Sequence, residues 1–204
     1  METDSQKVSY IIGRQIGGDF KKQNIDIQFD DFFQGVRSSF LQEPSELEEA
    51  EINRVMGEFQ NKMKAAHEQL ANEMAMKNKE LGEAFLAENK KIDGVTVTAS
   101  GLQYRVLESG NGATPTAEST VETHYEGTLI DGTVFDSSYQ RGESISFPVN
   151  GVIPGWTEAL QLMKEGDVWE LAIPSELAYG AQGAGGQIEP HSTLKFKIEL
   201  IKVK

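Results

Sequence analysis

Thr123-His124-Tyr125-Glu126-Gly127-Thr128-Leu129-Ile130-Asp131-Gly132-Thr133-Val134-Phe135-Asp136-Ser137-Ser138 decides the fold of the second half of this chain. Two alternating runs flank Asp131-Gly132, a dipeptide suited to the positive φ angles of a tight hairpin turn. Before the turn, Val121, Thr123, Tyr125, Gly127 and Leu129 share one strand face. After it, Phe135 and Asp136 end the return strand and Ser137-Ser138 opens a loop. The hairpin therefore brings two aromatic rings and one carboxylate together.

The same strand language extends on both sides. Leu102, Tyr104 and Val106 alternate with Gln103, Arg105 and Leu107, and Ile145, Phe147 and Val149 form a further run. Pro154-Gly155-Trp156 starts a short helix with Trp156, Ala159, Leu160 and Met163 on one face, stopped by Gly166. Trp169, Leu171 and Ile173 alternate next, a glycine-rich loop runs from Ala178 to Gly186, and Leu194, Phe196, Ile198 and Leu200 make the last strand. The expected architecture is α+β, with five or six antiparallel strands and one short helix covering one sheet face.

The first half is helical. Val8, Ile11, Ile12, Ile16 and Phe20 fall at helical spacing, with Asp4 or Ser5 as the cap. Gly13 and Gly17 mark a close-approach face. A second helix runs from about Asp30 to Leu41 and carries Phe32, Phe33, Val36 and Phe40. These two helices cannot bury so many large side chains on each other. A partner is required, either the next helix or another copy of the chain. Ser45 and Glu48 spell a capping box, and a third helix from there to about Lys91 would span roughly 70 Å. Its apolar stripe thins after Leu70, so its C-terminal half is expected to stand in solvent, supported by charge pairs.

Composition excludes several function classes. The formal charge of −13 with no basic run opposes a nucleic-acid surface. The absence of cysteine among 204 residues removes disulfides, thiolate catalysis and thiolate metal sites. His67, His124 and His191 share no ligand spacing, so no metal is expected; no cofactor is expected either. No apolar run reaches transmembrane length. Gly183-Ala184-Gly185-Gly186 lacks the lysine and helix of a phosphate loop.

Four ordered motifs in residues 100–204 resemble the FKBP-type peptidyl-prolyl cis-trans isomerases, the immunophilins that bind tacrolimus and rapamycin. They are the hairpin above, Val152-Ile153-Pro154-Gly155-Trp156, Ala178-Tyr179-Gly180, and Pro190-His191-Ser192-Thr193-Leu194 running into Phe196. The resemblance implies catalytic roles for Tyr125, Phe135, Asp136, Ile153 and Tyr179. It implies substrate binding by Arg141, Val152, Trp156, Ile188 and Phe196, with Trp156 as pocket floor and Ile188 at the rim. The Ile153 N–H and the Tyr179 hydroxyl would hold substrate carbonyls. Ile145, Ala184, Gln187 and Glu189 depart from the commonest pattern of single-domain members, all at the rim. Taken singly, Trp156 reads as core and Asp136 as a turn cap; Tyr179, beside Gly180, is less easily core.

Lys7-Val8-Ser9-Tyr10-Ile11-Ile12-Gly13, Phe20-Lys21-Lys22-Gln23-Asn24-Ile25-Asp26 and Gly82-Glu83-Ala84-Phe85-Leu86-Ala87-Glu88-Asn89 extend the resemblance to the macrophage infectivity potentiator type of bacterial isomerase. It implies a helical dimerisation domain at residues 1–42, a long connecting helix at 43–92 whose start packs on it, and an isomerase domain at 93–204. It implies a homodimer acting on proline-containing unfolded polypeptides, with tacrolimus or rapamycin as inhibitors. It also implies export to the periplasm or outer membrane with a signal peptide missing from this chain, the cytoplasm being the alternative. The rival function is a non-catalytic peptide-binding module or holdase chaperone, with Met63, Met74 and Met76 as adaptable contacts on the arm.

Overall fold

Helix α1, Asp4–Lys22, is capped by Thr3, not by Asp4 or Ser5. The Thr3 hydroxyl accepts from the Gln6 N–H at 3.3 Å, and the Gln6 side chain accepts from the Thr3 N–H at 3.2 Å. The pair is a capping box. These residues belong to a computed structural model that describes residues 1–204. The chain divides into two compact units, Met1–Lys62 and Met63–Lys204.

In the first unit α2 spans Phe29–Phe40, and neither α1 nor α2 has a buried residue. Phe20 and Phe32 meet edge to face at 5.4 Å. Ile11, Phe29, Phe33 and Phe40 remain exposed within one chain. Cβ atoms added at Gly13 or Gly17 would meet nothing within 4 Å, so the close-approach face is open. The box at Ser45 and Glu48 does not form. The Ser45 hydroxyl instead bonds the backbone of Leu47, the local alternative open to serine. Helix α3 runs Glu49–Asn89, its first carbonyl acceptor being Glu48.

In the second unit the strands are β1 Val95–Val97, β2 Gln103–Glu108, β3 Thr120–Leu129, β4 Val134–Ser137, β5 Ile145–Pro148, β6 Val168–Ile173 and β7 Leu194–Val203. They form one antiparallel sheet in the order β1-β2-β6-β7-β3-β4, with β5 also paired to β3. The strand beyond the expected six is β1, whose three residues are too few for alternation to show. Val149 leaves β5 for a 3-10 turn.

Along β3 the buried positions are Val121, Thr123, Tyr125 and Gly127, as the alternation requires. Helix α5, Pro154–Leu162, lies on that face through Trp156, Ala159 and Leu160. A Cβ on Gly155 would sit 2.5 Å from Ile173 Cγ2, so glycine lets the helix approach. Met163, extended, ends it before Gly166. The hairpin turn differs from the two-residue form. Gly132 N–H bonds Leu129 O, Thr133 O accepts from Leu129 N–H, and only Gly132 has positive φ, 92°. This is a three-residue loop with a glycine bulge.

The C-terminal half of α3 does not stand free. Gly82 is its buried residue, and Asn78, Leu86 and Asn89 all bond groups of the β domain.

Candidate functional site

Strands β3, β4, β5 and β7, two loops and helix α5 converge on a cavity of about 510 Å³ at the N-terminus of α5. Tyr125 comes from β3, Phe135 and Asp136 from β4, Trp156 from α5 and Phe196 from β7. Val152 and Ile153 precede α5, and Tyr179 stands on the loop after β6. Trp156 is the most enclosed of these rings, 5% exposed. Tyr125, Phe196 and Phe147 surround it at centroid distances of 5.1, 5.2 and 5.4 Å. Phe135 meets Phe196 edge to face at 5.6 Å. That contact depends on Gly127, where a Cβ would lie 2.6 Å from the Phe135 ring and 2.7 Å from Phe196.

Pro154 sets the backbone beside the indole. A proline at the first helical position holds the preceding Ile153 extended, at φ −60° and ψ 148°. The Ile153 carbonyl accepts from Trp156 and Thr157, whereas its N–H donates to no protein acceptor. Tyr179 is 39% exposed and its hydroxyl also lacks a protein partner. Burial, together with the Asp136 carboxylate, pushes its phenol upward, so it remains a donor at neutral pH.

One side of the cavity is polar. The Tyr125 hydroxyl donates to Asp136 Oδ2 at 2.5 Å. Arg141 donates to Asp136 Oδ1 and, at 3.0 Å, to the Tyr125 hydroxyl oxygen. Burial alone would raise the Asp136 carboxyl; the bonds from Tyr125 and Arg141 outweigh it and hold the group below its ordinary value. Burial and the bond to Asp136 push Tyr125 up. Asp136 is thus a fixed anion and Tyr125 a fixed donor. Arg141 reaches back because Ser138–Arg141 forms a one-turn helix, α4, in place of the expected loop. Ser137 takes the cap position, accepting from Gln140 N–H, which frees Asp136 from the capping role its sequence position allows.

Ile188 is not at the rim. It is 7% exposed, paired through its backbone with Ala184, and does not line the cavity. Phe147 and Gly151 line it and were outside the expected set, and Ile145, expected at the rim, lines it too. The signal was the pairing of β5 with β3, which sets Ile145 opposite Thr123 and Phe147 opposite Val121. His124 faces away, its Nδ1 3.0 Å from the Ser138 hydroxyl and its ring stacked on Tyr139. No group of three or more histidine or carboxylate side chains is placed to hold a metal ion.

An indole-based aromatic cavity with one immobilised carboxylate and two unpartnered donors defines a site for an apolar chain segment with exposed carbonyls. Comparison with known proteins gives the family. Residues 111–201 match the family of FKBP-type peptidyl-prolyl cis-trans isomerases, and residues 5–106 match the domain amino-terminal to it. The chain is 46% identical over 204 residues to the outer membrane protein MIP of Legionella longbeachae, covering 100% of this chain and 88% of that one. It is 42% identical to the peptidyl-prolyl cis-trans isomerase Mip of Coxiella burnetii, covering 100% and 89%. The crystal structure of FkpA from Escherichia coli superposes with a TM-score of 0.79 at 38% identity, covering 100% of this chain and 98% of that one. The chain belongs to the FKBP-type peptidyl-prolyl cis-trans isomerases that carry the amino-terminal helical domain. No helix is long and apolar enough to cross a membrane.

Proposed function

We propose that the aromatic cavity accelerates rotation about X–Pro bonds in unfolded or partly folded polypeptides without covalent chemistry. The barrier, about 18–20 kcal/mol, comes from amide resonance. Twisting the C–N bond weakens the charge separation between nitrogen and oxygen, so an apolar surround favours the twisted state over the planar one. The proline ring rests against Trp156, between Phe135 and Phe196. The Ile153 N–H and the Tyr179 hydroxyl hold the flanking carbonyls. Asp136, fixed by Tyr125 and Arg141, keeps Tyr125 in the cavity wall; Val152 completes the apolar side. Tacrolimus and rapamycin compete for the same cavity.

The observation that carries this reading is the pair of unpartnered donors at the mouth of an aromatic cavity. The test is isomerisation of a short X–Pro peptide. Tyr179→Phe is expected to lower kcat/KM roughly 3- to 10-fold, the worth of one neutral hydrogen bond. Phe135→Ala is expected to lower it roughly 10- to 100-fold, the worth of one buried ring. Equal rates in wild type and both variants would overturn the assignment.

The first unit is the homodimerisation element. Phe29, Phe33, Val36 and Phe40 are each more than half exposed in one chain, and Gly13 and Gly17 leave room for a close backbone approach. Two cavities on one dimer raise the effective local concentration of a client with several prolines. A monomer by light scattering at micromolar concentration would reject this. The relative called an outer membrane protein supports an envelope location, with the cytoplasm as alternative.

The second reading is a holdase that binds chains through the same exposed apolar side chains. Met76 is 73% exposed, whereas Met63 and Met74 are half-buried, which narrows the methionine surface. A folded protein that binds but does not accelerate the peptide would favour it.

A further inference from the structure

The last turns of α3 hold the loop that leads to Tyr179. Asn78 and Gly82 stand four residues apart on one helix face. The Asn78 amide donates to Glu189 Oε2 and to Pro190 O, both at 3.0 Å. One turn on, Gly82 faces Thr193; a Cβ there would lie 2.3 Å from Thr193 Oγ1 and 3.2 Å from its Cβ. The helix therefore touches residues 189–193 at both ends. Farther along, Leu86 O accepts from Gln103 Nε2 at 3.0 Å and Asn89 donates to Gln103 Oε1 at 2.8 Å. Gln103 is 4% exposed on β2, so the helix end is anchored to the sheet.

The segment 189–193 passes this anchorage inward. Its His191 N–H donates to Gly180 O at 2.8 Å, and Gly180 follows Tyr179 directly. His191 adopts φ 58°, a left-handed conformation that a non-glycine residue keeps only when its surroundings enforce it. Glu189 O accepts from both the N–H and the hydroxyl of Ser192, which closes the turn around it. From Asn78 to Tyr179 there are thus two hydrogen-bonded steps and no long side chain.

We infer that Asn78 and Gly82 are positioning residues for catalysis: they brace residues 189–193, which in turn set Tyr179 at the cavity mouth. The inference rests on the proposed role of Tyr179. It makes the C-terminal end of the long helix part of the catalytic apparatus and gives Gly82 a reason to interrupt a helix that favours alanine.

The experiment uses residues 1–204 and an X–Pro peptide, with five variants. Asn78→Asp keeps the shape, removes the donor and sets a carboxylate against Glu189. It is expected to lower kcat/KM roughly 3- to 10-fold and to speed hydrogen exchange at the His191 amide. In a Tyr179→Ala background the same substitution is expected to cost nothing further, because coupled residues are not additive. Gly82→Ala should also lower kcat/KM, and adding Thr193→Ala should restore most of it by removing the 2.3 Å contact. A rate loss that is the same with and without Tyr179, or an unchanged His191 exchange rate, would overturn the brace. Full activity of Tyr179→Ala alone would instead overturn the role of Tyr179 and leave the helix with nothing catalytic to position.

Discussion

Gly127→Ala is expected to lower kcat/KM for an X–Pro peptide about 100-fold while the protein still folds, because a wall displaced by about 1 Å costs that much. The added methyl has nowhere to go. Its Cβ would lie 2.6 Å from Cε2 and Cζ of Phe135 and 2.7 Å from Cε1 of Phe196. Phe196 cannot retreat, since Trp156 stands 5.2 Å behind it. Phe135 is only half-buried and is the ring that yields, into the cavity. The backbone does not object, since Gly127 lies within β3 and lacks positive φ. Stability should fall only by the overpacking cost of about 1–3 kcal/mol. Gly132→Ala is the matched control. It meets nothing within 4 Å but strains a φ of 92°, so it should cost stability and leave kcat/KM alone. Peptide kinetics and urea unfolding of both proteins distinguish the two causes. An unchanged kcat/KM in Gly127→Ala would mean that the reacting amide does not sit between these rings.

What could be read from the sequence followed the strength of the local signal. The alternation through Val121, Thr123 and Tyr125 fixed a strand face because a one-residue slip would expose all of it. Tyr125, Phe135, Asp136, Val152, Ile153, Trp156, Tyr179 and Phe196 all line the cavity, as their motifs imply. Phe147 was missed as a lining residue because strand pairing, not its own alternation, decides which cavity it borders. Ile188 was misplaced because a loop made of glycines carries no period; the bridge to Ala184 turns it inward. Ser45 failed as a cap because its hydroxyl had a nearer partner in Leu47. The docked end of α3 was hidden by its polar composition. Asn78, Asn89 and Gln103 make hydrogen bonds, which a search for apolar stripes cannot see. Gly82 was the visible trace, a lone glycine where alanine would be about 1 kcal/mol better for the helix.

Trp156→Ala is expected to destabilise the second unit by about 3–5 kcal/mol and to abolish measurable peptide isomerisation, a loss of at least about 100-fold. Three aromatic rings lean on this indole, so its removal leaves a hole bordered by Tyr125, Phe147 and Phe196 that none of them can fill without leaving the cavity wall. Stability and catalysis fall together in that variant, so Trp156→Phe is needed to separate them. The indole N–H is buried without a partner, and replacing it by phenylalanine discards no hydrogen bond. The cost of Trp156→Phe should be confined to lost ring area, about 1–2 kcal/mol. Urea unfolding followed by far-ultraviolet circular dichroism measures both, since Trp169 would confuse a fluorescence signal. If the phenylalanine variant keeps its fold and loses most of its rate, the indole acts as the surface on which proline turns. If rate and stability track each other across both variants, Trp156 is core alone and the proposed contact with the proline ring falls.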